Sequence, residues 1–445
     1  MSRAASVSVS SGGALIGEGG QGKVYTMEDL FEAIQRCPTV SLVSVDLSDP
    51  RGLVQTRRMA TADAMALLAS HSAVFKTTYR GSSLNRSRTR TRSSSNGRSQ
   101  SGSSMSARKV GSARKPPPAL AGAAVPALAG PAVPAKRAPD VSEFDRILVL
   151  ARAIARGPRR QQKQQQQQQQ SPPAVAATLG RTTTLLVVDR RHLVVGIAID
   201  DSGGGSCRRQ RIPVYRRMAG SLEKVVDPAS LSRTGLGGAA HAVVVTVLDA
   251  IEALLRSDAH HCDIKEENLM VGTNSGGSSA SGTAPSFALT DFGYLSVPPV
   301  DVGIHYRGTL GCVSPLLYSP ASGSTGREQF LVDHQTPEGV VRPTEIWASY
   351  EDDRRRRIRG RRAPLHDQLV KNDLYALGVM LARVFCRTPS HGPNLRHLHL
   401  HLQGNPEAVG AAGAARARIR AFARALMMGR GGIWTVTEAR AKLNF

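Results

Sequence analysis

The sequence predicts an α+β fold in two lobes, a small sheet-rich one followed by a larger helical one. Strand-like runs crowd into the residues before 218, and helical periodicity dominates from there to the end. A chain of 445 residues is also long enough to hold two such lobes with long insertions between their elements.

The small lobe is read in pieces. Residues 1–13 form a flexible Ser/Gly-rich N-terminus with no apolar signal core. Residues 14–26 read as a glycine-rich turn between two short strands. Gly17, Gly19 and Gly22 there lack side chains, which suits a backbone that closely approaches another group and equally suits a flexible turn. Residues 27–72 are mixed, with helical pieces at 27–36 and 61–70, and a strand over 73–79 ends this first part (14–79). Residues 80–140 are Ser/Arg-rich, then Pro/Ala-rich, with no acidic residue between Asp63 and Asp140. Such composition buries too little apolar surface to offset its ordering entropy and predicts a disordered insertion. The lobe resumes over 141–217. A helical pattern at 141–156 sets Phe144, Ile147, Leu148 and Ala151 on one side, with Glu143 in its first turn, where the helix dipole favours a carboxylate. A polyglutamine insertion at 164–170, strands at 183–188, 193–199 and 211–216, and a Gly203–Gly205 loop complete it.

The larger lobe, 218–445, begins with a buried helix over 238–256. A second long insertion is read at 317–370, with an arginine cluster at 354–362, and 371–445 reads as helices with short connections.

The apolar fraction of 41% supports a core, though aromatic residues are only 4% and much of the rest is alanine. A net charge of +24 favours acidic proteins, nucleic acid or anionic surfaces as partners. The Arg/Ser tract from Ser87 onward reads either as a solvated linker or as a nucleic-acid contact or nuclear address; it lacks aromatics for base stacking. The arginines at 354–362 are the better nuclear-import candidate. Five scattered cysteines predict a reducing, intracellular setting, in nucleus or cytoplasm, and no zinc site. No membrane span is expected, since Asp249 and Glu252 interrupt the most apolar helix, 240–255. His397, His399 and His401 alternate but have no neighbouring ligands, so no metal is assigned to them.

The chemistry concentrates in His261-Cys262-Asp263-Ile264-Lys265-Glu266-Glu267-Asn268 and, about twenty residues on, Asp291-Phe292-Gly293. Two further runs accompany them, Gly308-Thr309-Leu310-Gly311-Cys312-Val313-Ser314-Pro315 and Lys371-Asn372-Asp373-Leu374-Tyr375-Ala376-Leu377-Gly378. In this order and spacing the motifs resemble those of eukaryotic-type serine/threonine protein kinases over roughly 300 residues, insertions excluded. The large insertions and loose motif edges are similar to kinases of large DNA viruses, herpesvirus-like ones included, which would place the chain in a host cell.

The resemblance implies a bilobal protein-kinase-like fold with ATP between the lobes, under the 17–22 turn and beside Val24. It implies magnesium held by Asn268 and Asp291, Asp263 as the base for a substrate hydroxyl, and Lys265 as neutraliser of the transferred phosphoryl group. It requires a lysine for the α- and β-phosphates; Lys76 is the only one between Lys23 and Lys109 and stands in an apolar strand context. Its glutamate partner would be Glu143, the only glutamate between Glu32 and Glu223. Thr309 would contact the aspartate and lysine of the catalytic loop, Asp373 would brace that loop, and the adenine-binding hinge would fall near 216–218. Lys265, two residues past Asp263, is the serine/threonine form of the loop.

Two positions depart from the family. Cys262 replaces the arginine before the aspartate, which implies activity without activation-loop phosphorylation. Leu316 replaces a glutamate whose arginine partner is also missing near Ile433-Trp434-Thr435, so no buried charge is stranded. These departures leave two other readings open, a pseudokinase scaffold and a basic nucleic-acid-associated protein. The leading expectation is ATP-dependent phosphorylation of serine or threonine in protein substrates.

Overall fold

The computed structural model describes residues 15–19, 22–26, 38–78, 141–157, 171–200, 209–225, 227–232, 234–272, 286–297, 308–318, 325–334, 340–353, 365–386 and 406–445. The helix expected at 27–36, the insertion at 80–140, the polyglutamine tract, the Gly203–Gly205 loop, the 354–362 arginines and the 397–401 histidines lie outside these residues. Residues 1–78 and 141–445 belong to one unit.

The sheet-rich part is an eight-stranded sheet in which every pairing is antiparallel. Its strands are β1 (Leu15–Gly19), β2 (Gly22–Tyr25), β3 (Thr39–Asp46), β4 (Val54–Ala60), β5 (Ala73–Thr78), β6 (Leu186–Val188), β7 (His192–Asp200) and β8 (Arg209–Arg216). The order is β1-β2-β5-β8-β7-β3-β4, with β6 also on β7. Thus β2 and β5 pair directly, and the chain between them folds away as the β3–β4 hairpin onto the far side of β7. Helix α1 (Thr61–Ser70) follows β4 and packs Ala64, Met65 and Leu68 with Val40, Leu42, Phe75, Ile197 and Val214 on one face of the sheet.

The other face is covered by α2 (Glu143–Arg156). Its Ser142 cap accepts from the Asp145 N–H (3.2 Å), and Gly157 ends it at φ 65°. Phe144, Ile147, Leu150, Ala151 and Ile154 recur at helical spacing and pack with Val45, Val74, Val195 and Tyr215; Leu148 is only half-buried. A further helix, α3 (Pro172–Thr182), starts with two prolines in its first turn and buries Val175, Ala176 and Leu179 in the same layer.

The helical part is built on α4 (Gly235–Leu255). Leu236, Ala240, Val243, Val247 and Ile251 bury its inward stripe. By length and composition α4 alone among the described residues is apolar enough to cross a membrane. Here its apolar side is in the core, and Asp249 and Glu252 pair with Arg440. A three-stranded sheet follows, with β9 (Gly220–Ser221) and β11 (Ser286–Leu289) flanking β10 (Leu269–Gly272).

The span 317–370, read from sequence as an insertion, is folded where it is described. Helices α5 (Thr325–Asp333) and α6 (Pro343–Ser349) place Phe330, Ile346, Trp347 and Tyr350 in the helical core. The long α7 (Leu365–Phe385) is buried along nearly all its length and packs against α8 (Pro406–Met427); α9 (Val436–Ala441), opened by a Thr435/Glu438 capping box, closes the chain.

Candidate functional site

Strand alternation dictates which side chains meet. Lys76 stands opposite Val24, and Tyr215 opposite Val74, in registered antiparallel pairs. Residues 74 and 76 share a face, so Val24, Val74, Lys76 and Tyr215 all point toward α2. There Lys76 Nζ lies 2.9 Å from Glu143 Oε2 and 2.7 Å from Asp291 Oδ1. Burial works to lower the Lys76 pKa, but the two carboxylates outweigh it and hold the ammonium above its ordinary value. Burial pushes the Glu143 carboxyl up, against the pull of Lys76. Asp291 occupies the left-handed region (φ 65°), which short polar side chains tolerate, and accepts from Gly293 N–H (3.4 Å).

A second group forms in the loop after α4. Asp263 Oδ1 accepts from both the N–H (2.8 Å) and the hydroxyl (2.7 Å) of Thr309. Asn268 Nδ2 donates to Asp263 Oδ2 and to its carbonyl oxygen, each at 2.8 Å. Lys265 Nζ bonds Thr309 Oγ1 (2.7 Å) and lies 3.3 Å from Asp263 Oδ2. Burial opposes the Lys265 charge, but Asp263 and then Glu267 outweigh it and raise the pKa.

The two groups share one neighbourhood. Thr290 N–H donates to the Asn268 carbonyl (2.9 Å), as the β10–β11 register requires, and Asp291 adds to the field on Lys265. The His261 ring joins them. Its Nε2 faces the Thr290 carbonyl oxygen at 3.1 Å, so that nitrogen carries the proton, while Nδ1 accepts from Asp263 N–H. Burial lowers the His261 pKa, consistent with this neutral form.

Rigid anchors surround the loop. Cys262 adopts φ 63°, and the Asp373 carboxylate on α7 accepts from the N–H groups of His261 (2.9 Å) and Cys262 (2.8 Å). Glu266 pairs with Arg383 on the same helix at 2.7 Å. Asn372 Oδ1 accepts from Ser314 N–H (2.9 Å). Leu316 lies in the apolar core, where a carboxylate would be costly.

The candidate site residues singled out from sequence are thereby located. Lys76, Glu143 and Asp291 meet; Asp263, Lys265, Asn268 and Thr309 meet; Gly17, Gly19 and Gly22 lie on the β1–β2 hairpin, with Gly19 opposite Gly22. Residues 217–219 link β8 to β9, with Ala219 N–H donating to the Val271 carbonyl (2.9 Å). Sequence reading missed Tyr215, whose hydroxyl donates to Glu143 Oε1. It also missed Thr184, which accepts from Arg216 N–H (2.8 Å) and donates its hydroxyl to Thr290 (2.9 Å). Tyr215 looks like an ordinary strand residue and Thr184 like an ordinary residue before one, and only their contacts in space reveal them.

The oxygens of Asp291 and Asn268 are hard donors suited to magnesium rather than to a softer metal. Asn268 uses its amide nitrogen on Asp263, which leaves its carbonyl oxygen as the end able to meet a cation. Among the described residues no cluster of three or more His, Cys, Asp or Glu side chains forms a metal site independent of a ligand. Chemically, the arrangement offers an anchored carboxylate, two ammonium groups and oxygen donors in two bonded groups linked through Thr290. The chain matches no protein-family model and no curated protein.

Proposed function

We propose that the protein is a serine/threonine protein kinase, transferring the γ-phosphoryl group of ATP to hydroxyls of protein substrates. One observation carries the reading. Residues far apart in the chain, Lys76, Glu143, Asp263, Lys265, Asn268, Asp291 and Thr309, gather in two bonded groups joined at Thr290. The motif resemblance names the same residues.

In this reading Lys76, held by Glu143, binds the α- and β-phosphates. Asp263 accepts the proton of the substrate Ser or Thr hydroxyl as its oxygen attacks the γ-phosphorus, and the bond to the β–γ bridging oxygen breaks to release ADP. Thr309 and Asn268 fix the plane of the Asp263 carboxylate, so that no reorganisation is needed when the hydroxyl arrives. Lys265 sits where charge on the transferred group is neutralised. Asn268 and Asp291 would hold magnesium, which when bound neutralises the β- and γ-phosphates. The net charge of +24 favours acidic acceptor proteins.

The test is transfer of labelled phosphate from Mg·ATP to acidic and basic model proteins, followed by phosphoamino-acid analysis. Phosphoserine or phosphothreonine is expected. Asp263→Asn should lower kcat by about 10²-fold or more, the usual worth of a general base. Equal turnover by wild type and Asp263→Asn would overturn the assignment.

A further inference from the structure

The Glu143 carboxylate is fully enclosed, and its two oxygens are served differently. Oε1 accepts from the Tyr215 hydroxyl and from the Phe292 N–H (2.9 Å). Oε2, buried, is left to Lys76 alone among the described residues. The position of Oε2, and with it the ammonium of Lys76, therefore depends on what anchors Oε1. One of those anchors is backbone; the other is a single side chain.

Tyr215 is well placed for the task. It lies on β8, pairs with Val74 and bridges Leu185, so its backbone is locked on two sides. Its ring stacks on Phe292 with centroids 6.4 Å apart and planes 16° apart. It is 3% exposed, so water does not replace a lost donor. Burial, and next the Glu143 charge, raise the phenol pKa well above 10, so the hydroxyl remains a donor at every working pH.

We propose that Tyr215 is the positioning residue of this site: its hydroxyl fixes the Glu143 carboxylate and, through it, the ammonium of Lys76. It touches neither substrate nor reacting atom. The proposal rests on reading Lys76 as the phosphate-binding lysine only for its kinetic consequence; its effect on Lys76 itself stands apart from any phosphate transfer.

The experiment compares the full chain with Tyr215→Phe, Glu143→Gln and the double variant. Two readouts are taken. The first is the rate at which Lys76 is acetylated by an N-hydroxysuccinimide ester without nucleotide, followed by peptide mass spectrometry across pH 7–9. The second is kcat and KM for Mg·ATP. Tyr215→Phe keeps the ring against Phe292, and a thermal melt checks that the fold is intact. Loss of one hydrogen bond to a buried charge should raise KM for ATP about tenfold, with a smaller change in kcat. Lys76 should acetylate several-fold faster as its partner loosens. In the Glu143→Gln background the second substitution should add nothing, since the effect runs through the carboxylate. Wild-type values of both readouts in Tyr215→Phe would overturn the proposal, as would an undiminished effect of Tyr215→Phe in Glu143→Gln. Absence of phosphate transfer by the wild type would sink the kinase reading, and the acetylation rates would still decide the role of Tyr215.

Discussion

Gly308 stands at φ 115°, and a Cβ there would lie 2.4 Å from the carbonyl oxygen of Cys262. That close approach sets the next residue, Thr309, against the Asp263 carboxylate. Gly308→Ala must push one segment away from the other, and displacements near 1 Å in a site of this kind cost roughly 10² in rate. We expect kcat to fall by about that factor while the melting temperature drops only a few degrees; unchanged kcat would show that the contact is dispensable. Residues of this group were legible in the sequence as a group. Few side chains handle phosphate and cations, and here they crowd into short runs around Asp263, Asp291 and Thr309. Lys76 and Glu143 stood out because each is alone of its type over a long stretch. Tyr215 and the Gly308–Cys262 contact had no such signal, because each depends on strand register or on loops 46 residues apart meeting in space.

Among the elements, α7 and α8 depend on one buried cation. Lys371 Nζ donates to the carbonyl oxygens of Leu426 and Met428 at the end of α8, each at 2.8 Å, and to that of Ile433. It also lies 5.2 Å from the centroid of the Trp434 ring and 5.7 Å from that of Tyr350. Burial lowers its pKa to about 7, yet three acceptors match the three donors of an ammonium, and a cation complements the negative end of a helix. Lys371→Met keeps the stem and strands three carbonyl groups. A loss of about 3 kcal/mol is expected, read as a lower midpoint in urea at constant slope; an unchanged midpoint would remove Lys371 from the account. Periodicity made α2 legible and apolar composition made α4 so, whereas α7, buried nearly all round, was read only from 371 through its motif, its first turn being taken for insertion. The edge strand β4, Val-Gln-Thr-Arg-Arg-Met-Ala, was not, because one edge and most side chains face water and no alternation survives. Its neighbour β3 is apolar on both faces, having a packed layer on each side. Helix α3 was not read from the sequence at all: it follows the polyglutamine tract, and its two leading prolines mark a loop and a helix start equally well.

At the scale of the whole molecule, the core encloses several ionisable groups, and their protons make stability depend on pH in two opposed ways. Burial holds His260 down to about 3 and His334 to about 4, and lowers His261 as well. For each the unfolded chain binds a proton near 6.5 that the folded chain refuses. The unfolded state thus holds more protons below that pH, and stability is lost as pH falls from about 6.5 toward the folded values. Burial raises Asp373 to about 7 and raises Glu143, which acts in the opposite sense. Asp373 stays raised despite its two N–H bonds, and Glu143 despite Lys76 and Tyr215, so the imidazoles and the carboxyls bias stability with pH in opposite directions. His334 isolates one proton of this balance. Its Nδ1 meets the Tyr375 hydroxyl at 2.9 Å and its ring stacks on Phe330, far in sequence from the 261–268 loop. His334→Asn should flatten the dependence of unfolding free energy on pH by about 1.4 kcal/mol per unit between roughly pH 4.5 and 6, whatever the remaining groups do. Urea unfolding at a series of pH values measures both slopes. Parallel curves for variant and wild type would mean that His334 takes up its proton equally well in the folded protein.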